Sequence, residues 1–495
     1  MNKRLAIYAA PVLLAGCTVG PDYHAPNPAS LGVPTNYSPP ETQGSSAAGL
    51  NAAPVDLASW WQQFHDPLLT ELIGRATAGN LQIAQSLARL EEAREARLQA
   101  AGNLLPTLGA SAGASRNFTR GGGSSIVIGG GNGSPGTVVS TGGSSASTNL
   151  SLGGDASWQA DIFGGIRRSI EAARADEAAA GYDLEGVRTS VAAEVATNYI
   201  NARLAQARLQ IARSTLSTQD ENLQIARWRV QAGLVSSLDV EQARAQRAQT
   251  AASIPGLQSS YLAAVARLGT LTGQAPGALR SEMESIGPIP HGPADIATGI
   301  PAETLRRRPD VRSAERQLAA ATARIGVAKA ALFPALSITG NLDTNASAIG
   351  TLGKLVTGGL FAGLTQTIFD AGKRRSQVRS ARAATDFALA NYKQTVLSGL
   401  EDVENAVQAL EAAKARQAQL AIALEASNNA AIYARSQYQS GLIDFLTLLQ
   451  SEQTLLSARD QLAAAQADQA LALVQLYLAL GGGWQPSPAP TGSPA

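Results

Sequence analysis

Cys17 is the one residue whose surroundings call for covalent chemistry. It is the only cysteine in 495 residues and follows Leu14-Ala15-Gly16. Asn2-Lys3-Arg4 gives a positive start, and residues 5–15 form a short apolar run. That run is too short to span a bilayer and fits a cleaved leader. Residues 1–16 therefore read as a lipoprotein signal peptide, with Cys17 as the lipidated first residue of the mature chain. A single cysteine leaves no internal disulfide. Thr18 stands where an Asp would hold a Gram-negative lipoprotein at the inner membrane, so the outer membrane is the expected address.

The other reactive residue types form no constellation. His24, His65 and His291 are scattered and signal no metal cluster. There is no GxSxG elbow, P-loop or dinucleotide fingerprint. Carboxylates sit on helical faces beside arginines, such as Glu91 with Arg94, where solvated pairing is the default. A net charge of +1 with 16% charged residues leaves no basic surface for nucleic acid. The residues give no enzyme, no metal site and no cofactor beyond the covalent lipid.

The elements that must position any site come in two copies. RWRVQAGLVSSLDVEQAR (227–244) and RSQYQSGLIDFLTLLQSE (435–452) share a glycine, and Gly233 and Gly441 lie 208 positions apart (441 − 233). That register holds without a gap to Gly273 and Gly481. Residues 80–113 and 308–340 form a second pair, each closing a helical pattern at Pro106 or Pro334 before alternation begins. DIFGGIRRS (161–169) and TIFDAGKRRS (367–376) form a third, at the start of the next helix. One unit of helix, strand pair, very long helix, turn and return helix is duplicated. The expected layout has 17–79 as an extended lipidated segment with a first helix. Residues 80–273 and 308–481 are the two repeats, 274–307 the linker between them and 482–495 a disordered tail.

Gly165 to Val230 carries a helical pattern over 66 positions, a rod of about 100 Å, and Gly372 to Gln439 is its counterpart. Return helices of about 40 residues and pre-strand helices of about 26 should together match that height. Pro255 should interrupt and kink the first return helix, whereas its counterpart Ala463 should not. Gly233 and Gly441 supply the positive φ that ends one helix and turns into the next. After the second turn, Leu446 and Gln450 fall on one helical face. The proline-rich stretch 275–301 reads as an irregular linker outside the helices.

No segment offers 18 continuous apolar residues, so no transmembrane helix is expected. Four segments alternate as strands do. Leu336, Ile338 and Leu342 oppose Ser337, Thr339, Asn341 and Asp343. Leu150, Leu152, Ala156, Trp158, Ala160 and Ile162 alternate with Ser151, Asp155, Ser157, Gln159 and Asp161. Residues 106–118 alternate more weakly, and 355–368 is glycine-rich. A Gly/Ser run of low complexity, about 119–149, separates the first two strands. Strands of ~9–11 residues with one apolar and one polar face suit a transmembrane barrel. Four cannot close on themselves, and lipid tolerates no open edge. Two copies give eight strands and a filled interior; three give twelve and room for a lumen.

The chain resembles the outer-membrane efflux factors, TolC-like channels of the NodT/OprM lipoprotein branch, over essentially the whole mature sequence. The resemblance rests on Cys17-Thr18-Val19-Gly20-Pro21-Asp22-Tyr23 and on Trp60-Trp61 with Phe64, Asp66 and Leu69. Its strongest part is Leu305-Arg306-Arg307-Arg308-Pro309-Asp310-Val311 with Ala314, Glu315, Leu318, Gly326, Phe333 and Pro334. Asp161-Ile162-Phe163-Gly164 resembles the family's entry into the first long helix. The resemblance implies a mainly α protein with a transmembrane β-barrel. Four strands per protomer would form a 12-stranded trimeric barrel in outer-membrane lipid, continuous with a long periplasmic α-helical barrel. It implies a homotrimer that docks a periplasmic membrane-fusion adaptor and an inner-membrane RND-type pump.

It further implies a periplasmic tip closed by apolar residues with acidic residues nearby. Leu446 matches the apolar position, while Gln450 departs from the acidic one. Thr447 and Asp444 flank them, and Leu238 and Asp239 sit at the first-half turn. The expected function is a passive gated exit duct for small molecules. A type I secretion duct and a lipid-anchored helical tether without a pore are the alternatives, and a tether needs no alternating strands.

Overall fold

The computed structural model describes residues 18–27, 57–119, 124–127, 138–141, 145–293 and 305–485. The signal peptide, Cys17 and residues 486–495 of the tail lie outside the described residues. The described residues fall into two compact units. One lies within Met1–Tyr23, Arg94–Arg174 and Ala319–Asp386, the other within His24–Ala93, Ala175–Leu318 and Phe387–Ala495.

A 3-10 helix (Leu57–Phe64) precedes α1 (Pro67–Gly79), α2 (Leu81–Gly102), β1 (Thr107–Thr119), β2 (Ser124–Val127), β3 (Val138–Thr141) and β4 (Ser145–Ala160). Then come α3 (Gly165–Gln231), α4 (Ser237–Leu271) and α5 (Arg280–Met283). The second repeat holds α6 (Pro309–Ala330), β5 (Ala335–Ala346), β6 (Val356–Thr365), α7 (Lys373–Gln439) and α8 (Phe445–Ala479). Repeat partners have equal lengths: 67 residues in α3 and α7, 35 in α4 and α8, 22 in α2 and α6. The return and pre-strand helices are therefore shorter than the expected 40 and 26. Turn residues consume one end of each return helix, and a residue ahead of proline is driven out of the α region before each strand.

Four helix ends share one turn. At Gly233 (φ 73°) the glycine N–H donates to Val230 O and the Leu234 N–H to Arg229 O, both at 2.9 Å. At Gly441 (φ 75°) the acceptors are Tyr438 O and Gln437 O, again at 2.9 Å. Gly273 and Gly481, with φ of 73° and 72°, close the return helices with the same two bonds. This is the Schellman arrangement, which needs a left-handed residue.

Three expectations need correction. α4 runs through Pro255 without interruption. Pro255 lies on an exposed side, where water can take the hydrogen bond that proline removes. Within the Gly/Ser run, β2 and β3 pair antiparallel, from Ser124 opposite Thr141 to Val127 opposite Val138. The linker is not wholly external either, because Leu279 and Met283 are fully buried. Gln206 Nε2 and Tyr261 Oη both donate to Met283 O (2.6 and 2.8 Å), and Arg203 Nη1 donates to Ser285 O (2.7 Å).

The second unit's main core surrounds Trp60, which stacks on Tyr477 at 5.4 Å among Phe64, Leu69, Leu72 and Leu473. Burial pushes the Tyr477 hydroxyl up to about 12. Asp66 caps α1 by accepting from Leu68 N (3.0 Å) and Leu69 N (3.1 Å), and its other oxygen accepts from Tyr199 Oη (2.7 Å). In the first unit, the segment after Cys17 is fastened down. Val19 N–H donates to Phe163 O (3.2 Å), Asp22 pairs with Arg168 (2.6 Å), and a Cβ on Gly20 would lie 2.6 Å from Gly326 Cα.

The turn glycines generate a graded prediction. Nothing lies near a Cβ placed on Gly233, whereas one on Gly273 collides with the Gly79 carbonyl. Gly233→Ala should cost about 1 kcal/mol from left-handed strain alone. Gly273→Ala should cost clearly more, read as a larger drop in the thermal unfolding midpoint. Equal drops would mean that the Gly79 contact is not limiting.

Candidate functional site: a two-faced sheet and a helix tip

The sheet order is β1-β4-β5-β6 with every neighbour antiparallel. Directly paired residues project to the same side, and successive residues on a strand to opposite sides. The register therefore sorts the side chains. Leu108, Ala156, Gly340 and Leu360 form one row across all four strands, and Ala110, Gly154, Leu342 and Gly358 the next. Ala112, Leu152, Thr344 and Val356 follow on the same face. Leu108, Leu342 and Leu360 are exposed in a single copy. Arg116 is the one charged residue on this face among those described, with its guanidinium 5.2 Å from the Phe118 ring. Near the opposite end, Trp158 Nε1 donates to Leu104 O at 2.8 Å.

The other face is polar. Gly109, Asp155, Asn341 and Gly359 make one row; Ser111, Gly153, Asp343 and Thr357 another; Thr107, Ser157, Thr339 and Phe361 a third, with Phe361 the apolar exception. The two carboxylates lie over glycines of the neighbouring strand: a Cβ on Gly109 or Gly153 would strike Asp155 or Asp343. Among the described residues, β1 pairs only with β4 and β6 only with β5, so both outer edges are open. All four strands reach at least ten residues, long enough to cross a hydrocarbon core. No described helix is long and apolar enough to do so.

The tip lies in the second unit, around the turns at Gly233 and Gly441. Beneath them Leu223, Ala226, Ala243, Ala434, Tyr438, Phe445 and Leu448 form a small buried cluster. Leu446 and its repeat partner Leu238 are each 59% exposed, one position into α8 and α4. Gln450 and Thr447 are exposed on the same stretch of α8, alternating with buried Phe445 and Leu448. Asp444 has a defined local task. It is the N-cap of α8, its Oδ1 accepting from Thr447 N at 2.8 Å, and bonds from Thr447 hold its carboxyl below the usual aspartate range. Ser236 does the same for α4, accepting from Leu238 N at 3.2 Å, while Asp239 lies in the first turn of that helix. An acidic group at a helix N-terminus is favoured by the aligned peptide dipoles.

Sequence reasoning passed over two features here. Leu234 and Leu442, directly after the two glycines, are 70% and 75% exposed, and the shared Gly-Leu pair was the available signal. Glu452 is buried and accepts from Asn222 Nδ2 (2.5 Å) and Arg435 Nη2 (3.1 Å), joining α3, α7 and α8. No local sequence pattern announces that junction. Among the described residues, no group of His, Cys, Asp or Glu is placed to hold a metal.

Residues 72–274 and 300–482 match the outer membrane efflux protein family. The chain is 30% identical to Nodulation protein T of Rhizobium leguminosarum bv. trifolii over 490 residues, 98% of each chain. Its fold matches the outer-membrane channel OprN with a TM-score of 0.81 and 36% identity, over 95% of this chain and 100% of that one. It also matches the open state of the Neisseria gonorrhoeae MtrE outer membrane channel, with a TM-score of 0.76 and 26% identity over 95% and 99% of the two chains. Sequence and fold agree across both repeats: the chain belongs to the outer membrane efflux protein family and is an outer-membrane transporter rather than an enzyme.

Proposed function

We propose that three copies of the chain close a 12-stranded barrel through outer-membrane lipid, continuous with a periplasmic helical duct through which small molecules leave passively. The observation that supports this most directly is the two-faced, open-edged sheet. Its apolar face suits lipid and its polar face a water-filled lumen. β1 and β6 run in opposite directions, so copies joined edge to edge continue the antiparallel pattern round a ring. Eight strands from two copies would leave an interior filled by side chains, whereas twelve from three leave a lumen. A tether without a pore has no use for such a sheet.

In this reading the chain supplies a wall, a gate and docking surface. Energy comes from an inner-membrane RND-type pump, coupled through a periplasmic membrane-fusion adaptor. The exposed Leu234, Leu238, Leu442 and Leu446 are apolar surface at the tip, from which the entrance constriction and adaptor contacts are built. Leu446 narrows the entrance, and Gln450 leaves that level without a carboxylate ring. Cys17 carries the lipid that tethers the mature N-terminus to the membrane.

Reconstitution in planar bilayers, with the mass of the assembly measured natively, tests the reading. Trimers with small, flickering currents support a duct closed at its tip; a monomer, or no current from inserted protein, returns the case to a tether. Leu446→Ser should raise single-channel conductance, and an unchanged conductance would remove Leu446 from the gate. The polar face carries Asp155 and Asp343 without a lysine or arginine among its described residues, so reversal potentials should favour cations. Asp155→Asn with Asp343→Asn should weaken that preference; no change would place this face away from the lumen.

Asp444 gives a prediction with a sign. Its folded pKa lies below the ordinary 3.8, so its contribution is complete above that value and is lost as pH falls through the lower, folded one. The difference in thermal midpoint between the unmodified protein and Asp444→Ala should be present at neutral pH and shrink below pH 3.8. A gap that ignores pH would mean that the charge is not what stabilises the tip.

A further inference from the structure

The internal repeat provides a template for a contact that one copy cannot make. Within the chain, β4 of the first repeat pairs with β5 of the second. Just beyond that pair, Phe163 stacks on Phe333 with ring centres 4.7 Å apart. Both places recur at the outer edges of the sheet. Ile162-Phe163 after β4 corresponds to Ile368-Phe369 after β6, and Phe333-Pro334 before β5 to Leu105-Pro106 before β1. At these second locations the side chains stand open: Ile368 is 97% exposed, Phe369 87% and Leu105 68%.

We infer that β6 of one copy pairs with β1 of the next in the register of the β4–β5 pair, seating Phe369 against Leu105 of that next copy. This rests on the trimeric-barrel reading and adds the residues of its seam. Two offsets fix the register: 206 positions from Ile162 to Ile368 (368 − 162) and 228 from Pro106 to Pro334 (334 − 106). The observed pair Trp158–Ile338 then maps onto Leu364–Ala110, Ala156–Gly340 onto Ala362–Ala112, and Gly154–Leu342 onto Leu360–Ala114.

The mapping has an independent check in facial parity. Leu364, Ala362 and Leu360 lie on the apolar face of β6, and Ala110, Ala112 and Ala114 lie on the apolar face of β1. The offsets were taken from loop and helix-entry motifs, so they could equally have paired an apolar position with a polar one. A slip of one residue would turn the lipid-facing side of one strand towards the lumen. Size complements parity, since Leu364 and Leu360 of β6 meet Ala110 and Ala114 of β1. A stretch of α7 entry that would leave Ile368 and Phe369 in water is covered by the same step.

Disulfide capture in the full-length, membrane-embedded protein tests the seam. Ala362→Cys with Ala112→Cys is the in-register pair, and Ala362→Cys with Ala110→Cys or with Ala114→Cys is displaced by two residues. Directly opposed positions lie within disulfide reach, whereas diagonal ones stand roughly 7–8 Å apart. Mild oxidation should link the in-register variant into dimers and trimers on denaturing gels, with little linking in the displaced variants. Ala156→Cys with Gly340→Cys, the equivalent pair inside one chain, reports that the oxidation itself works. Preferred linking of a displaced pair in a protein whose native mass is trimeric overturns the register and leaves the trimer standing. A monomeric mass with no linking overturns both, and lipid then covers the edge residues. Phe369→Ala and Leu105→Ala should each lower the temperature at which trimers dissociate in detergent, the double variant falling little further than the worse single one. Additive losses would separate the two residues.

Discussion

Backbone N–H and C=O groups at a sheet edge can be satisfied by water but not by hydrocarbon. A four-stranded sheet with two open edges and one apolar face is therefore stable in lipid only when its edges are joined. That requirement explains features that look unrelated. The strand count per copy is even and strictly alternating, so the edges of identical chains are antiparallel. Gly109 of β1 and Gly153 of β4 sit where a carboxylate of the neighbouring strand, Asp155 or Asp343, needs room. In the inferred seam, Ala110 and Ala114 of β1 meet Leu364 and Leu360 of β6. Each strand is also bounded by a proline or a helix cap, which keeps the apolar band from running on.

Duplication preserved hydrogen bonds more faithfully than residues. The long helix α3 opens with Asp161 accepting from Ile166 N and Arg167 N; α7 opens with Asp370 accepting from Gly372 N and Arg374 N. Arg167 and Arg374 are equivalent positions, yet the carboxylates are not, since Asp161 aligns with Thr367 and Asp370 with Gly164. The return helices repeat the trade, with Ser236 or Asp444 as the cap and Asp239 or Thr447 three residues on. An acidic residue near a helix start thus has a sufficient structural cause in the unpaired N–H groups and the dipole there. Reading every tip carboxylate as part of an ion filter would count that cause twice.

The parts legible in the sequence were those written in local pattern. The four turn glycines keep a constant spacing because each turn needs the same left-handed residue, and the strand faces follow from alternation alone. Of the tip set, Leu446, Leu238 and Gln450 could be placed on exposed helix starts by counting from the glycines. What stayed hidden depends on partners far along the chain. Pro255 ends no helix because its side of α4 meets water, which no spacing reveals. Leu279 and Met283 are core residues because Arg203, Gln206 and Tyr261 reach down to the linker carbonyls. The packing of Gly20 on Gly326 joins positions some three hundred residues apart, and the Glu452 junction joins three helices.

On the proposed reading of the long helices as a duct wall, the distribution of large side chains bears on where that wall can open. Along α3 alanine is the commonest buried residue, as at Ala192, Ala193, Ala196, Ala202, Ala205 and Ala212. Each contributes little, since burial stabilises by about 0.8 kcal/mol per methylene-sized group. The extensive cluster around Trp60 and Tyr477 adds many large residues to such alanines, whereas the cluster beneath the tip turns is small. Separation is therefore easier at the tip than at the Trp60 core. It is not free of constraint there, because sliding α3, α7 and α8 past one another strips Glu452 of Asn222 or Arg435 and leaves a buried carboxylate without its partners. A displacement that carries these three helices as one body keeps that junction intact. If the tip opens as the proposed duct requires, the motion of lowest cost is a swing of this joined group, which carries the exposed leucines with it.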